Sequence, residues 1–137
     1  MDLVFLGVAI LICAILLFFA INLTKPHKIQ LDKEKFQANW LKIENSIQRD
    51  NPASWHLALI NGDKLVDTAM RELHISGQTM GERLKAAKDK FTSPNSIWHA
   101  HKLRNVTAHE ADAEINFDQT RRALASFKQA LKDLGAI

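Results

Sequence analysis

Residues 117–134 read FDQTRRALASFKQALKDL, and this segment indicates the fold most clearly. Its apolar side chains recur at helical intervals, at Phe117, Leu124, Phe127, Leu131 and Leu134. Positions so spaced lie on one face of an α-helix and leave polar residues on the opposite face. We therefore predict an amphipathic helix from about Asn116 to Leu134 that buries one side. Gly135 is placed to end it.

Earlier segments show the same periodicity, and no segment shows the alternation typical of a strand. We predict helices over about 32–49, 52–73 and 80–91, and a further helix from about 94 that includes residues 98–109. Asn51 is expected to cap the second, Gly77 to close it, and Thr79 with Glu82 to form a capping box at the third. Gly62 interrupts the second pattern unless a neighbouring helix crosses closely there. The chain is thus predicted to be all-α, an antiparallel bundle of about five helices behind an N-terminal segment.

The N-terminal segment, LVFLGVAILICAILLFFAINL at residues 3–23, carries no charge. As a helix it would be about 30 Å long, the thickness of a bilayer hydrocarbon core. Asp2 precedes the apolar run and no small-residue cleavage site follows it, so an uncut transmembrane helix fits better than a signal peptide. We predict a membrane anchor over residues 1–24, in contact with lipid through Leu3–Leu23. A basic juxtamembrane linker at 25–30 and a bundle domain at 31–137 would follow.

Flanking charge predicts the orientation of this anchor. Lys25, Lys28, Lys33 and Lys35 follow the apolar run, whereas only the amino terminus and Asp2 precede it. The positive-inside rule then places the N-terminus outside a cell membrane and the helical domain in the cytoplasm.

Composition excludes several classes of protein. The chain has 137 residues, of which 47% are hydrophobic and 24% charged, so it is not a disordered chain. Its single cysteine, Cys13, excludes an internal disulfide framework and a cysteine-rich zinc site. A net charge of +3 permits a nucleic-acid or anionic-membrane partner without requiring one. The chain contains no glycine-rich phosphate loop, so we predict no cofactor.

The most informative polar stretch is WHAHKLRNVTAHE at residues 98–110. Within it, Arg104 offers a planar set of donors suited to phosphate, and His109 is the residue type that exchanges protons near neutral pH. Asn105 can donate to one neighbour and accept from the other. These residue types could form a metal-free site that cleaves phosphodiesters. They could equally be ordinary polar residues of a helix.

Metal binding is a weaker interpretation of the same region. His99 and His101 lie two residues apart, so on a helix they point to opposite sides. The charged cluster of His109, Glu110, Asp112 and Glu114 lacks a recognised ligand spacing, so we predict no metal site.

Residues 104–109 read RNVTAH: an arginine, a polar residue, three further positions and a histidine. This pattern resembles the signature of the HEPN superfamily (higher eukaryotes and prokaryotes nucleotide-binding domains). The surrounding residues also resemble small bacterial proteins, some of them membrane-anchored. The resemblance implies an all-helical fold, and a cleft that two subunits complete. It further implies that Arg104 would hold a scissile phosphate of RNA, with Asn105 beside it, while His109 transfers protons during attack by the ribose 2′-OH.

Three interpretations remain open at this point. The chain could be a HEPN-like module that binds nucleic acid, a nucleotide or a protein partner, without proven catalysis. It could be a metal-independent endoribonuclease of the toxin or defence type, acting as a homodimer on RNA. It could also be an unrelated membrane-tethered adaptor in which Arg104 pairs with a carboxylate such as Glu110 or Asp112. On one continuous helix Arg104 and His109 would be about 140° apart, too far round to share a substrate within one chain.

Overall fold

The computed structural model describes residues 2–23, 29–109 and 115–137. These residues form six α-helices and no β-strand, so the all-α prediction is confirmed. A single 3-10 turn at Lys88–Lys90 joins the fourth helix to the fifth. The helices are α1 (Asp2–Leu23), α2 (Lys33–Ser46), α3 (Pro52–Glu72), α4 (Met80–Ala86), α5 (Pro94–His109) and α6 (Phe117–Asp133).

Helix α1 is the apolar segment, and by length and composition it could cross a membrane. Its side chains from Leu3 to Leu23 are all exposed, which means that the bundle does not bury them. A soluble protein rarely leaves so large a continuous apolar surface in contact with water. The predicted apolar helix is therefore present, with its whole circumference available to a nonpolar environment.

The other five helices form the predicted bundle, in which consecutive long helices run antiparallel. The beginning of α2 meets the end of α3, where Lys35 Nζ lies 2.9 Å from Glu72 Oε1. The segment before α5 meets the end of α6, where the Thr92 N–H donates to Asp133 Oδ2 at 2.7 Å. The starts of α3 and α6 also meet, since the ring centres of Trp55 and Phe117 are 5.9 Å apart, so the ends of these two helices lie at the same end of the bundle. That end therefore also holds the start of α2 and the start of α5. We call this end the tether end because residues 24–32 lead into it from α1.

Helix α3 lies at the centre and packs against α2, α5 and α6. The largest fully buried side chains belong to Phe36, Leu59, Val66, Met70, Phe127 and Leu131, and they form one core. Gly62 does not interrupt α3. It lies where α6 crosses, and a Cβ atom added there would be 2.8 Å from Cδ2 of Phe127. Close helix crossing is thus the reason for glycine at this position.

The capping predictions are confirmed at α4 and α6. Thr79 and Glu82 form the reciprocal capping box, with the Glu82 N–H donating to Thr79 Oγ1 at 3.2 Å. Gly135 has a φ of 72° just beyond α6, as expected of a left-handed cap. The structure adds a second capping box, between Asn116 and Gln119, at the start of α6.

Two predictions at helix ends are wrong: the cap of α3 and the length of α4. Helix α3 ends at Glu72, close to the predicted residue 73, but Gly77 does not close it, because His74 adopts the left-handed conformation with a φ of 54°. The Ile75 N–H then bonds the Met70 carbonyl at 3.0 Å, as in a Schellman motif. Helix α4 ends at Ala86 instead of near 91, because Phe91 takes an extended backbone and inserts its ring into the core.

Asn51 precedes α3 as predicted, but its side chain makes no capping hydrogen bond. Its amide instead donates to the side chain of Gln48 at 3.2 Å. The Ser54 hydroxyl accepts from the Gln48 N–H at 3.0 Å and donates to the Asn51 carbonyl at 2.7 Å. The start of α3 is therefore fixed by Ser54 and the proline at its first position.

Candidate functional site

Helix α5 carries the predicted site residues and is continuous from Pro94 to His109. Arg104 and Asn105 are half-buried and lie on the part of α5 that meets α3. The side chain of His109 lies outside the part of the chain that the structure describes, as do Glu110, Asp112 and Glu114. The continuous helix keeps the Arg104 and His109 positions about 140° apart around its axis.

Opposite Arg104 lies Asp63 of α3, whose side chain is only 5% exposed. Its helical position places it between Leu59 and Val66, both fully buried. A carboxylate removed from water in this way requires charged or hydrogen-bonding partners. Helix α5 supplies them from residues 101, 104 and 105.

The partners form a closed ring of polar contacts. His101 Nδ1 lies 2.8 Å from Asp63 Oδ1, and His101 Nε2 lies 3.2 Å from Asn105 Nδ2. Arg104 Nη1 donates to Asn105 Oδ1 at 3.0 Å, and Arg104 Nε lies 3.4 Å from Asp63 Oδ2. We call Asp63, His101, Arg104 and Asn105 the α3–α5 ring.

The direction of each bond in the ring follows from its charged members. An ionised carboxylate only accepts and a guanidinium only donates, so His101 donates from Nδ1 to Asp63. His101 Nε2 then accepts from the Asn105 amide, whose oxygen accepts from Arg104. Neutral His101 and the present orientation of Asn105 satisfy each of these contacts together. A second proton on His101 would place two donors against each other at Asn105.

The contact between Arg104 and Asp63 is an ion pair without a well-formed hydrogen bond. Arg104 Nε is buried and makes no hydrogen bond within the described residues, although Asp63 Oδ2 is 3.4 Å away. The two atoms are close enough for an ion pair, but the Nε–H group is not directed at the oxygen as a hydrogen bond requires. We therefore treat the contact as electrostatic, with the carboxylate compensating the guanidinium charge.

Chemically, the ring engages the side chains of His101 and Asn105 and part of the Arg104 guanidinium. Both nitrogens of His101 are engaged, so neither is available to take a proton from a substrate without breaking a contact. Arg104 already has a carboxylate beside it, and a phosphate would have to compete with Asp63 for its charge. The geometry is suited to holding α3 and α5 in register.

A groove of about 480 Å³ runs beside the ring, between α5 and α6. His99 and Leu103 line one wall, Gln119 and Arg122 line the other, and Ala100 and Ala123 also border the groove. Neither Arg104 nor Asn105 lines it. Arg104 and Asn105 are therefore turned toward α3 instead of toward this opening.

Two ring members, Asp63 and His101, were not predicted as site residues. The sequence indicates His101 only as a weak metal ligand beside His99, and the two side chains do point differently. His99 is exposed and contacts the Asn95 carbonyl of its own helix at 2.7 Å. Asp63 did carry a signal, since it is a charged residue at a position where the periodicity of α3 requires burial. Such a residue indicates a buried partner on a neighbouring helix.

No group of three or more His, Cys, Asp or Glu side chains that could hold a metal ion occurs within the described ranges. The acidic cluster after His109 is not part of those ranges. Comparisons with models of known protein families, with curated proteins and with solved structures give no match to this chain.

Proposed function

We propose that the chain is a membrane-anchored, HEPN-like helical module that binds nucleic acid, a nucleotide or a protein partner and does not itself cleave RNA. The observation that supports this most is the Asp63 carboxylate, 3.4 Å from the guanidinium of Arg104. In this proposal the arginine of the motif joins two helices. Helix α1 is the anchor, with Leu3–Leu23 in lipid and the bundle on the cytoplasmic side of the cell membrane.

Electrostatics favour this role for Arg104 over phosphate binding. A buried carboxylate beside a guanidinium cancels most of its charge, and it would also repel an approaching phosphodiester. If Arg104 moved away from Asp63, a carboxylate that is only 5% exposed would lose its cationic neighbour. That loss would oppose any rearrangement that frees Arg104 for RNA.

A metal-independent endoribonuclease is the second candidate, and one observation favours it. The Arg104 side chain is 30% exposed, so part of the guanidinium is accessible from solvent. Because Arg104 and His109 diverge around α5, such an enzyme would need two subunits to complete one cleft. We therefore propose a homodimer for either candidate, since confinement to a membrane raises the effective concentration of the partner copy.

A cleavage assay on the full chain in nanodiscs distinguishes the two candidates. The wild type, Arg104→Ala and His109→Ala would be incubated with a mixed RNA pool and a chelator, with Arg122→Ala as the matched exposed-arginine control. We expect no cleavage by any of them, and a lower melting temperature for Arg104→Ala alone. Cleavage by the wild type and Arg122→Ala that disappears in Arg104→Ala and His109→Ala, at unchanged melting temperature, would establish the ribonuclease instead.

A further inference from the structure

The tether end of the bundle carries a basic and aromatic surface on the connection between α3 and α5. Lys85, Lys88 and Lys90 are all exposed there, at the end of α4 and in the following 3-10 turn. Trp98 of α5 is half-buried and lies beside Lys85. We call these four residues the basic end surface.

Contacts around Trp98 join α4 to α5 at this surface. Lys85 Nζ lies 5.6 Å from the centre of the Trp98 ring, and Lys102 Nζ lies 5.9 Å from it. A Cβ atom added to Gly81 would be 3.5 Å from the same ring, so α4 lies directly against the indole. An indole flanked by two ammonium groups is a combination found where proteins meet the headgroup layer of a membrane.

The carboxylates in the same stretch reduce this positive charge only in part. Glu82 is occupied as a helix cap, since its carboxylate accepts from the N–H groups of Gln78 and Thr79 at 2.6 and 3.3 Å. These hydrogen bonds lower its pKa, so it remains ionised and fixed at the helix start. Asp89 is exposed between Lys88 and Lys90 and offsets one of the lysines. The surface keeps an excess of positive charge.

Chain length places this surface near the anchor. Nine residues separate the end of α1 at Leu23 from the start of α2 at Lys33. Even fully extended, the ten steps from Leu23 to Lys33 span no more than about 36 Å. The start of α2 lies at the tether end, next to the end of α3, and the chain enters α4 from there. A bilayer that holds α1 is thus always within reach of the basic end surface.

We propose that the basic end surface rests on the anionic phospholipid headgroups of the membrane that holds α1, so that the bundle stands on the bilayer with its tether end down. This inference depends on the anchor in the proposed function. Each lysine near an anionic surface strengthens such a contact about fivefold. The tether makes the contact intramolecular, so a weak surface attraction suffices to orient the bundle.

Energy transfer to labelled lipid measures this orientation in the full chain. A donor dye would be attached to Ser76→Cys at the tether end or to Ala53→Cys at the opposite end, both exposed, in a Cys13→Ser background. Helix α3 separates the two positions by about 30 Å. The acceptor would be a headgroup-labelled lipid in nanodiscs containing either zwitterionic lipid alone or a fraction of anionic phosphatidylglycerol.

With anionic lipid we expect transfer from position 76 to exceed that from position 53 at least twofold. The difference should shrink in zwitterionic nanodiscs and at high salt, which screens exposed charges. The triple variant Lys85→Gln, Lys88→Gln, Lys90→Gln should lose the difference even with anionic lipid. The control variant Arg49→Gln, Arg121→Gln, Arg122→Gln removes the same charge from the opposite end and should keep it.

Three results would overturn the inference. If the chain fails to enter nanodiscs of either composition, both the proposed anchor and this orientation are wrong. Chain that enters them but shows equal transfer from both positions would overturn the orientation and leave the anchor intact. The third result concerns single-stranded RNA. If RNA binds the chain in zwitterionic nanodiscs and only the triple lysine variant loses this binding, the same lysines bind nucleic acid instead.

Discussion

Arg104 on α5 and Asp63 on α3 meet where these two helices pack, with Nε and Oδ2 3.4 Å apart. The contact links the predicted motif to a carboxylate 41 residues earlier in the sequence. It also gives the arginine a structural role that needs no ligand. His101 and Asn105 complete the ring around it, so that four polar side chains contact one another between two helices.

The close crossing of α3 and α6 at Gly62 leads us to predict that Gly62→Ala destabilises the fold. In Gly62→Ala the new methyl group would lie 2.8 Å from Cδ2 of Phe127 and 3.2 Å from Cδ2 of Leu124. Phe127 is fully buried and cannot move aside. Overpacking costs about 1–3 kcal/mol, which should exceed the gain of about 1 kcal/mol from replacing glycine in a helix. Urea denaturation should therefore show a lower free energy of unfolding.

Gly81→Ala is the matched control, because Gly81 is also helical but a Cβ atom there would lie 3.5 Å from Trp98, an ordinary contact. We expect this variant to be as stable as the wild type or slightly more stable. A Gly62→Ala variant that is stabilised to the same extent as Gly81→Ala would contradict the close crossing.

The sequence predicted the bundle well where a local rule applies. The apolar stripe of α6, its closing Gly135 and the Thr79–Glu82 capping box all depend on residues within a few positions of one another. Gly62 shows the limit, because a glycine in a helical pattern has the same appearance whether it breaks the helix or admits a neighbour. That distinction depends on Phe127, which is distant in sequence.

At the end of α6, Asp133 should make the free energy of unfolding depend on pH. Burial raises the pKa of Asp133, but hydrogen bonds from the Thr92 N–H, the Gln129 amide and the Thr92 hydroxyl outweigh it, so the pKa is lowered from 3.8. A carboxylate with a lowered pKa in the folded state contributes stability that is complete above its unfolded pKa and is lost as pH falls through the folded value. Asp133→Asn should reduce the free energy of unfolding by about 1 kcal/mol near neutral pH.

The difference between Asp133→Asn and the wild type should shrink as the pH falls below 3.8. Asp50→Asn, an exposed change of the same charge in the α2–α3 connection, should change stability by less than about 0.5 kcal/mol. A constant difference for Asp133→Asn down to the acid limit of the folded state would show that its ionisation contributes nothing. Chemical denaturation at a series of pH values makes the comparison.

Membrane topology can be tested by labelling. Ala53 is exposed at the start of α3, so Ala53→Cys in a Cys13→Ser background presents one accessible thiol. The lysines after α1 predict that the bundle is cytoplasmic. An impermeant maleimide should then react only after the cells are permeabilised. Rapid labelling in intact cells would place the bundle outside and reverse the predicted orientation.

Self-association is the fourth expectation. One chain supplies one arginine and one histidine that diverge around α5, so the proposed HEPN-like cleft would need two copies. Fluorescently tagged full chain, reconstituted at low density in supported bilayers, should bleach in two steps more often than any other number. A population that bleaches in single steps, at every density tested, would indicate a monomer.

The candidate site was less predictable than the fold. Arg104 and Asn105 were identified from six consecutive residues, but their partners come from another helix and from one turn away. A short motif specifies which chemical groups are present, whereas Asp63 decides whether the charge of Arg104 is available. Only the packing of α3 against α5 brings that carboxylate to the arginine. The one local indication of this contact is that Asp63, a charged residue, falls on the side of α3 that the apolar pattern predicts to be buried.

The most direct test of the structural role of Arg104 is a double-mutant cycle with Asp63, measured as the free energy of unfolding of the full chain in nanodiscs. Asp63→Asn, Arg104→Gln and the double variant would be compared with the wild type. We expect each single variant to lose about 1–3 kcal/mol and the pair to be coupled by about 1 kcal/mol or more. Additivity within about 0.5 kcal/mol would mean that the two residues do not stabilise each other, and would contradict an architectural arginine.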